Sequence, residues 1–128
     1  MQCDVSEDDE YEDECDYKPA DCIEEKPTLG EVTILVTIDN LNSEVPITLF
    51  EDDVEHNRIV LQDTLHSESK TYRLGYNYYS VKAVYKSEID GQIVTINSIN
   101  GDELEYDEDE YCDGTCYTEG SIEIDVEL

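Results

Sequence analysis

Apolar residues recur at every second position along most of this sequence, and that period restricts the fold more than any other feature. In E-V-T-I-L-V-T-I-D, Val32, Ile34, Val36 and Ile38 fall on one side of an extended chain, with Thr33, Leu35 and Thr37 on the other. V-P-I-T-L-F repeats the pattern, with Val45, Ile47 and Leu49 together and Pro46 suited to an edge or a strand start. R-I-V-L-Q brings Ile59 and Leu61, and K-T-Y-R-L gives another short strand before Gly75. The strongest strand signal is Y-N-Y-Y-S-V-K-A-V-Y-K, where Tyr79, Val81, Ala83 and Tyr85 oppose Ser80, Lys82 and Lys86. Asp90–Gly91 marks a hairpin turn, and Q-I-V-T-I-N-S-I continues the sheet beyond it. In S-I-E-I-D-V-E-L, Ile122, Ile124, Val126 and Leu128 point one way and Glu123, Asp125 and Glu127 the other. No stretch sustains a helical period. About seven short strands parted by turn residues predict an all-β fold, an antiparallel Greek-key sandwich.

The strand pattern begins only after a different kind of segment. Residues 1–27 are acidic, contain Pro19 and Pro27, and hold no lasting alternation, so they read as a tether ahead of a sandwich domain over 28–128. A chain of 128 residues has room for one such domain and a tail. The net charge is −28, from 35 acidic and 7 basic residues, with dense acid in Asp4–Asp16 and Asp102–Asp113. That balance excludes nucleic acid as a partner, because phosphate contacts need Lys and Arg. It equally opposes electrostatic adsorption to anionic lipid, so membrane attachment would have to be covalent. No apolar run approaches the ~20 residues a transmembrane helix needs.

Five cysteines in so short a chain point to an oxidising compartment. Cys3, close to the first residue and followed by acid, is the one set apart. Cys15, Cys22, Cys112 and Cys116 then form an even set able to make two disulfides. Pairing Cys112 with Cys116 and Cys15 with Cys22 closes two short turn-rich loops and is favoured. A crossed arrangement tying the N-terminal segment to the C-terminal hairpin closes a longer loop and stabilises more. Zinc finds little here, since there is no C-x-x-C pair and neither His56 nor His66 stands at ligand spacing from a cysteine.

Calcium is the cofactor the acidic runs bring to mind, with Asp107, Asp109 and Asp113 as candidate ligands. Their spacing is not that of an EF-hand, and solvated charge guarding sheet edges explains the same residues. No phosphate-cradling glycine loop or G-x-S-x-G occurs, and His66 lies in a turn-like stretch beside Ser67 and Ser69. An enzyme is therefore not expected. Ten tyrosines against one phenylalanine suit half-exposed sheet faces and binding surfaces. Tyr76 and Tyr78, beside Tyr79, are candidates for glycan or protein contact. The spacing L-G-x-x-Y-Y-x-V also resembles a tyrosine corner, which would give a tyrosine hydroxyl a structural role.

Two resemblances carry the functional expectation. The strands G-E-V-T-I, V-P-I-T-L-F and L-G-Y-N-Y-Y-S-V-K-A-V-Y, with the alternating last strand, resemble prealbumin-like domains of the carboxypeptidase-regulatory-like and collagen-adhesin B-type kinds. The start C-D-V-S-E-D-D-E resembles a mature Bacteroidota lipoprotein. In that likeness Cys3 carries the lipid, and Asp4, Ser6, Glu7, Asp8, Asp9 and Glu10 match the acidic signal for export to the cell surface, the apolar leader having been removed. The ending Y-C-D-G-T-C-Y…I-E-I-D-V-E-L resembles small lipoproteins of the same kind. Together they imply an outer-membrane lipoprotein facing the cell exterior, a binding or structural accessory subunit with a protein partner. A calcium-dependent adhesin-like module and a carbohydrate-binding module are the alternatives.

Overall fold

The computed structural model describes residues 17–128. The expectations for Cys3, Asp4, Ser6, Glu7, Asp8, Asp9, Glu10 and Cys15 lie outside the described residues. Among the described residues nine strands follow one another: β1 (Gly30–Leu35), β2 (Val45–Glu51), β3 (Ile59–Leu65), β4 (Ser69–Leu74), β5 (Tyr78–Ile89), β6 (Gln92–Glu103), β7 (Asp107–Tyr111), β8 (Gly114–Thr118) and β9 (Ser121–Asp125). A 3-10 turn at Val54–His56 interrupts the link between β2 and β3. One sheet has the order β4-β1-β9 and a second the order β3-β2-β5-β6, while β7 and β8 form a separate hairpin. The fold is all-β and sandwich-like, as the alternation predicts.

The buried faces are those the period-two pattern assigns. Val32, Ile34 and Val36 meet Val45, Ile47, Leu49, Val81, Ala83, Tyr85, Ile124 and Val126 in one core. Burying each of the larger side chains contributes about 1.5–3 kcal/mol, which is why these strands hold their register. Asp90 and Gly91 both take positive φ, 52° and 77°, in the two-residue turn joining β5 to β6. Tyr85, fully buried, donates its hydroxyl to the Val126 carbonyl at 2.6 Å and accepts the Thr37 N–H at 3.1 Å. Tyr79 donates to the Gly75 carbonyl at 2.6 Å, four residues back, the tie expected of a tyrosine corner. Burial raises the pKa of both phenols.

Several details depart from expectation. The β7–β8 hairpin supplies two strands in a region read as acidic block and turn, where local strand propensity is low. The pairing is not wholly antiparallel, because β1 and β9 run parallel, Val32 beside Ile122 and Ile34 beside Ile124. A register shift at Leu49/Phe50 sets Ile59 opposite Phe50, leaving Ile59 exposed while Leu61 stays half-buried. Leu128 lies past the end of β9 and is 59% exposed, so the inward row stops at Val126.

The two sheets are also joined by polar groups at one rim. Asp63 on β3 accepts hydrogen bonds from Lys70 Nζ at 2.8 Å and Tyr72 OH at 2.7 Å, both on β4. Lys70, then Tyr72 and the Thr64 N–H, hold the Asp63 carboxyl down to about 2 from 3.8. Burial first, and the Asp63 carboxylate second, raise the Tyr72 phenol.

Candidate interaction surface

The segment before β1 is fastened to the hairpin rather than loosely joined to the sandwich. Cys22 and Cys116 are disulfide-bonded, with their Cα atoms 5.4 Å apart. This overturns the favoured short-loop pairing of Cys112 with Cys116: a crossed link between the N-terminal segment and the C-terminal hairpin is made instead. Cys116 faces inward on β8 and reaches across, while Cys112 sits at the hairpin turn and is itself disulfide-bonded. The Tyr117 N–H donates to the Ile23 carbonyl at 2.8 Å, and the Lys18 N–H to Asp113 Oδ1 at 3.1 Å. Lys18 Nζ also pairs with Glu24, chiefly through a hydrogen bond that raises the lysine pKa.

Aromatic rings continue this clasp. Tyr106 meets Tyr76 edge-on at 5.2 Å and Tyr117 at 5.9 Å, and Lys26 lies 5.3 Å from its ring centre. Tyr76 donates its hydroxyl to the Leu29 carbonyl at 2.7 Å and accepts the Gly120 N–H at 3.2 Å. Gly120 is required there, since a Cβ would overlap the Glu105 carbonyl. A cleft of about 340 Å³ lies beside the clasp, lined in part by Ile23, Lys26, Leu29, Arg73, Tyr117 and Glu119.

The proposed calcium ligands are all at this end but do not converge. Asp107 and Asp109 are exposed on β7, and Asp113 occupies the turn where Lys18 binds it. Among the described residues, Asp52, Asp53 and His56 form a group of three whose ligand atoms all lie within 4.8 Å of one another. His56 Nδ1 is 3.7 Å from Asp52 Oδ2, and the group is largely exposed.

Tyr76 and Tyr78 do not form one aromatic patch. Tyr76 precedes β5 and is engaged by the clasp, whereas Tyr78 lies at the start of β5 and is 39% exposed. A Cβ on Gly101 would come within 2.7 Å of the Tyr78 hydroxyl, so glycine on β6 makes room for that ring. Tyr78, Ile99 and Gly101 line a cleft of about 520 Å³ with Val54 and Glu55 of the 3-10 turn and Asp53 just before it. Beneath the turn, Phe50 and Ser80 are buried, and Ser80 donates its hydroxyl to the Asp52 carbonyl at 2.7 Å.

Beyond the cleft, the outward row of β5 runs Ser80, Lys82, Val84 and Lys86. It pairs with Gly101, Ile99, Asn97 and Thr95 of β6. No carboxylate stands in this part of either row. In a chain of net charge −28, such a neutral-to-basic apolar surface is the least expected feature of the exterior. Its signal in the sequence is the uncharged run Q-I-V-T-I-N-S-I-N-G, whose alternation by itself predicts only a further strand. Comparison with protein families, with characterised proteins and with solved structures finds no match.

Proposed function

We propose that this protein is a non-enzymatic, lipid-anchored lipoprotein of the outer membrane, facing the cell exterior and acting as a binding or structural accessory subunit. The observation that carries the proposal is the Cys22–Cys116 link, which turns the residues behind the acidic N-terminal stretch into a firm mount at one end of the domain. A tether attached through that mount would leave the sheet carrying Tyr78 and Ile99 free to meet a protein partner. The strand orders β4-β1-β9 and β3-β2-β5-β6, with first and last strands parallel, support the prealbumin-like, Greek-key reading of the domain.

A carbohydrate-binding role is the second reading, favoured by the exposed Tyr78 beside its open cleft. The test of the first is mass spectrometry of the native protein released from intact cells by surface proteolysis. Acyl chains on the Cys3 peptide are expected. With Cys22 and Cys116 joined, Cys15 is then the cysteine left to pair with Cys112, and a Cys15–Cys112 peptide is expected too. An unmodified Cys3 thiol, or Cys3 in disulfide linkage, would falsify the anchor.

A further inference from the structure

We propose that the free edge of β6 accepts an added strand: an extended segment of another polypeptide, apolar at alternate positions and basic at both ends. This deepens the accessory-subunit reading and rests on its protein partner, while owing nothing to acylation of Cys3.

Sheet edges invite pairing unless charge, proline or a bulge blunts them. The other three edge strands of the two sandwich sheets are blunted: β3 carries a register shift and Asp63, β4 carries Lys70 and Arg73, and β9 is short and carries Glu123 and Asp125; β7 of the hairpin is a run of acid. Strand β6 is longer than any of these and has neither a charged residue nor a proline from Gln92 to Gly101. Among the described residues its backbone ladder runs to β5 alone. Ile93 and Ile99 are 56% and 55% exposed.

The far end of that edge is already closed by its own side chains. Asn100 Nδ2 donates to the Asp125 carbonyl at 3.1 Å, Asn100 Oδ1 accepts the Gly101 N–H, and Asp102 Oδ1 accepts the Glu103 N–H. Those two N–H groups thus point away from β5. The alternation of an antiparallel ladder turns the N–H groups of Ile93, Thr95, Asn97 and Ile99 the same way. Four donors in a row, with their carbonyls, define a site that an extended backbone satisfies and a compact surface does not.

Charge selects the occupant. Exposed Glu88 and Asp90 stand at the turn end of the edge, and exposed Asp102 and Glu103 at the other, with a neutral middle backed by Lys82 and Lys86. A second copy fits poorly in either direction. Antiparallel β6–β6 pairing would set Glu88 and Asp90 against Asp102 and Glu103 at both ends, and parallel pairing would set each acid beside its own copy. A strand with Lys or Arg flanking an uncharged centre meets complementary charge at both ends instead.

The test uses three synthetic peptides with the full chain: a Val-Thr repeat flanked by lysines, the same repeat flanked by glutamates, and the lysine peptide N-methylated at alternate residues. Titration calorimetry is expected to show the lysine peptide binding ~10-fold or more tighter than either control. Amide exchange is expected to slow at Ile93, Thr95, Asn97 and Ile99, and not along β3. Asn97→Pro removes an outward N–H without touching the β5 ladder and is expected to abolish binding. Ile99→Lys, at an exposed position, is expected to weaken it while the melting temperature holds. No binding, equal binding of the N-methylated or glutamate peptide, or protection elsewhere would overturn the proposal. So would self-association that Ile99→Lys reverses, which would make a second copy the occupant. An acylated Cys3 with no peptide binding breaks this inference alone and leaves the anchor standing.

Discussion

The sandwich and the β7–β8 hairpin are both β-structure, yet they are held together by different forces. In the sandwich, side chains from two sheets bury one another, and Val32, Ile34, Leu49, Val81 and Ile124 have no exposed surface. In the hairpin, Asp107, Glu108, Asp109 and Glu110 are all exposed, and Cys116 is its buried residue. A lone two-stranded ribbon is marginal in water, and like charges along β7 make this one worse. Disulfides, tyrosine rings and backbone bonds to the N-terminal segment supply what the missing core does not. Where apolar area runs out, covalent and polar ties take over.

Breaking the Cys22–Cys116 bond is the most severe way to probe that difference. The bond spans a sequence separation of 94, and the second disulfide at Cys112 already restrains part of that loop, so the paired change Cys22→Ser with Cys116→Ser is expected to cost about 3 kcal/mol by loss of chain restraint. Chemical denaturation gives the total, and amide exchange gives the location. Exchange should quicken first across Gly114–Thr118, while Val81 and Ala83 in β5 stay protected until global unfolding. Simultaneous loss of protection in both regions would mean that hairpin and sandwich share one cooperative unit.

The same chemical change made at both ends sharpens the contrast. Tyr85→Phe strands the Val126 carbonyl and the Thr37 N–H beside a buried ring and is expected to cost about 2 kcal/mol. Tyr76→Phe removes two bonds of the clasp, to the Leu29 carbonyl and the Gly120 N–H. Water reaches that site, so the expected cost is about 0.5 kcal/mol. Urea melts of both variants read the difference directly. Equal losses would show that the clasp is as dry and as tightly packed as the core.

The same physics explains which parts of the molecule could be read from the sequence. Burial against a core writes itself as period two, so the inward rows of β1, β2, β5 and β9 were legible, as was the Asp90–Gly91 turn. The hairpin was not, because D-E-D-E-Y has low strand propensity and the ties that hold the hairpin, from Lys18, Cys22 and Ile23, come from far along the chain. The crossed disulfide was missed for the same reason: short loops favoured Cys112 with Cys116, and only the fold brings Cys22 to β8. The bulge that exposes Ile59 and the parallel β1–β9 pair are also products of tertiary packing. Of the candidate surface, Tyr78 was legible as an aromatic residue. Its separation from Tyr76 was not, since two tyrosines two positions apart gave no hint that one would be recruited by the clasp.

The smallest expected effect sets ionic ties at the sandwich rim against those at the clasp. Asp63 bridges the two sheets through Lys70 and Tyr72, and its carboxyl is held at about 2 rather than 3.8. A carboxyl lowered in the folded state favours folding at pH above its unfolded value, and that gain disappears as protons bind the native form. The contribution is thus complete above about pH 4 and lost as pH falls towards 2. Because Asp63 stands at a partly solvated rim, screening reduces it to about 1 kcal/mol. Asp63→Asn is expected to lower stability by that amount at pH 7 and to converge with the parent near pH 2. Glu24→Gln, which breaks the exposed Lys18 pair on the covalently held side, is expected to cause no measurable loss at either pH. If the two variants lose the same stability at pH 7, the rim bridge is only a surface pair, and the sandwich relies on its apolar core alone.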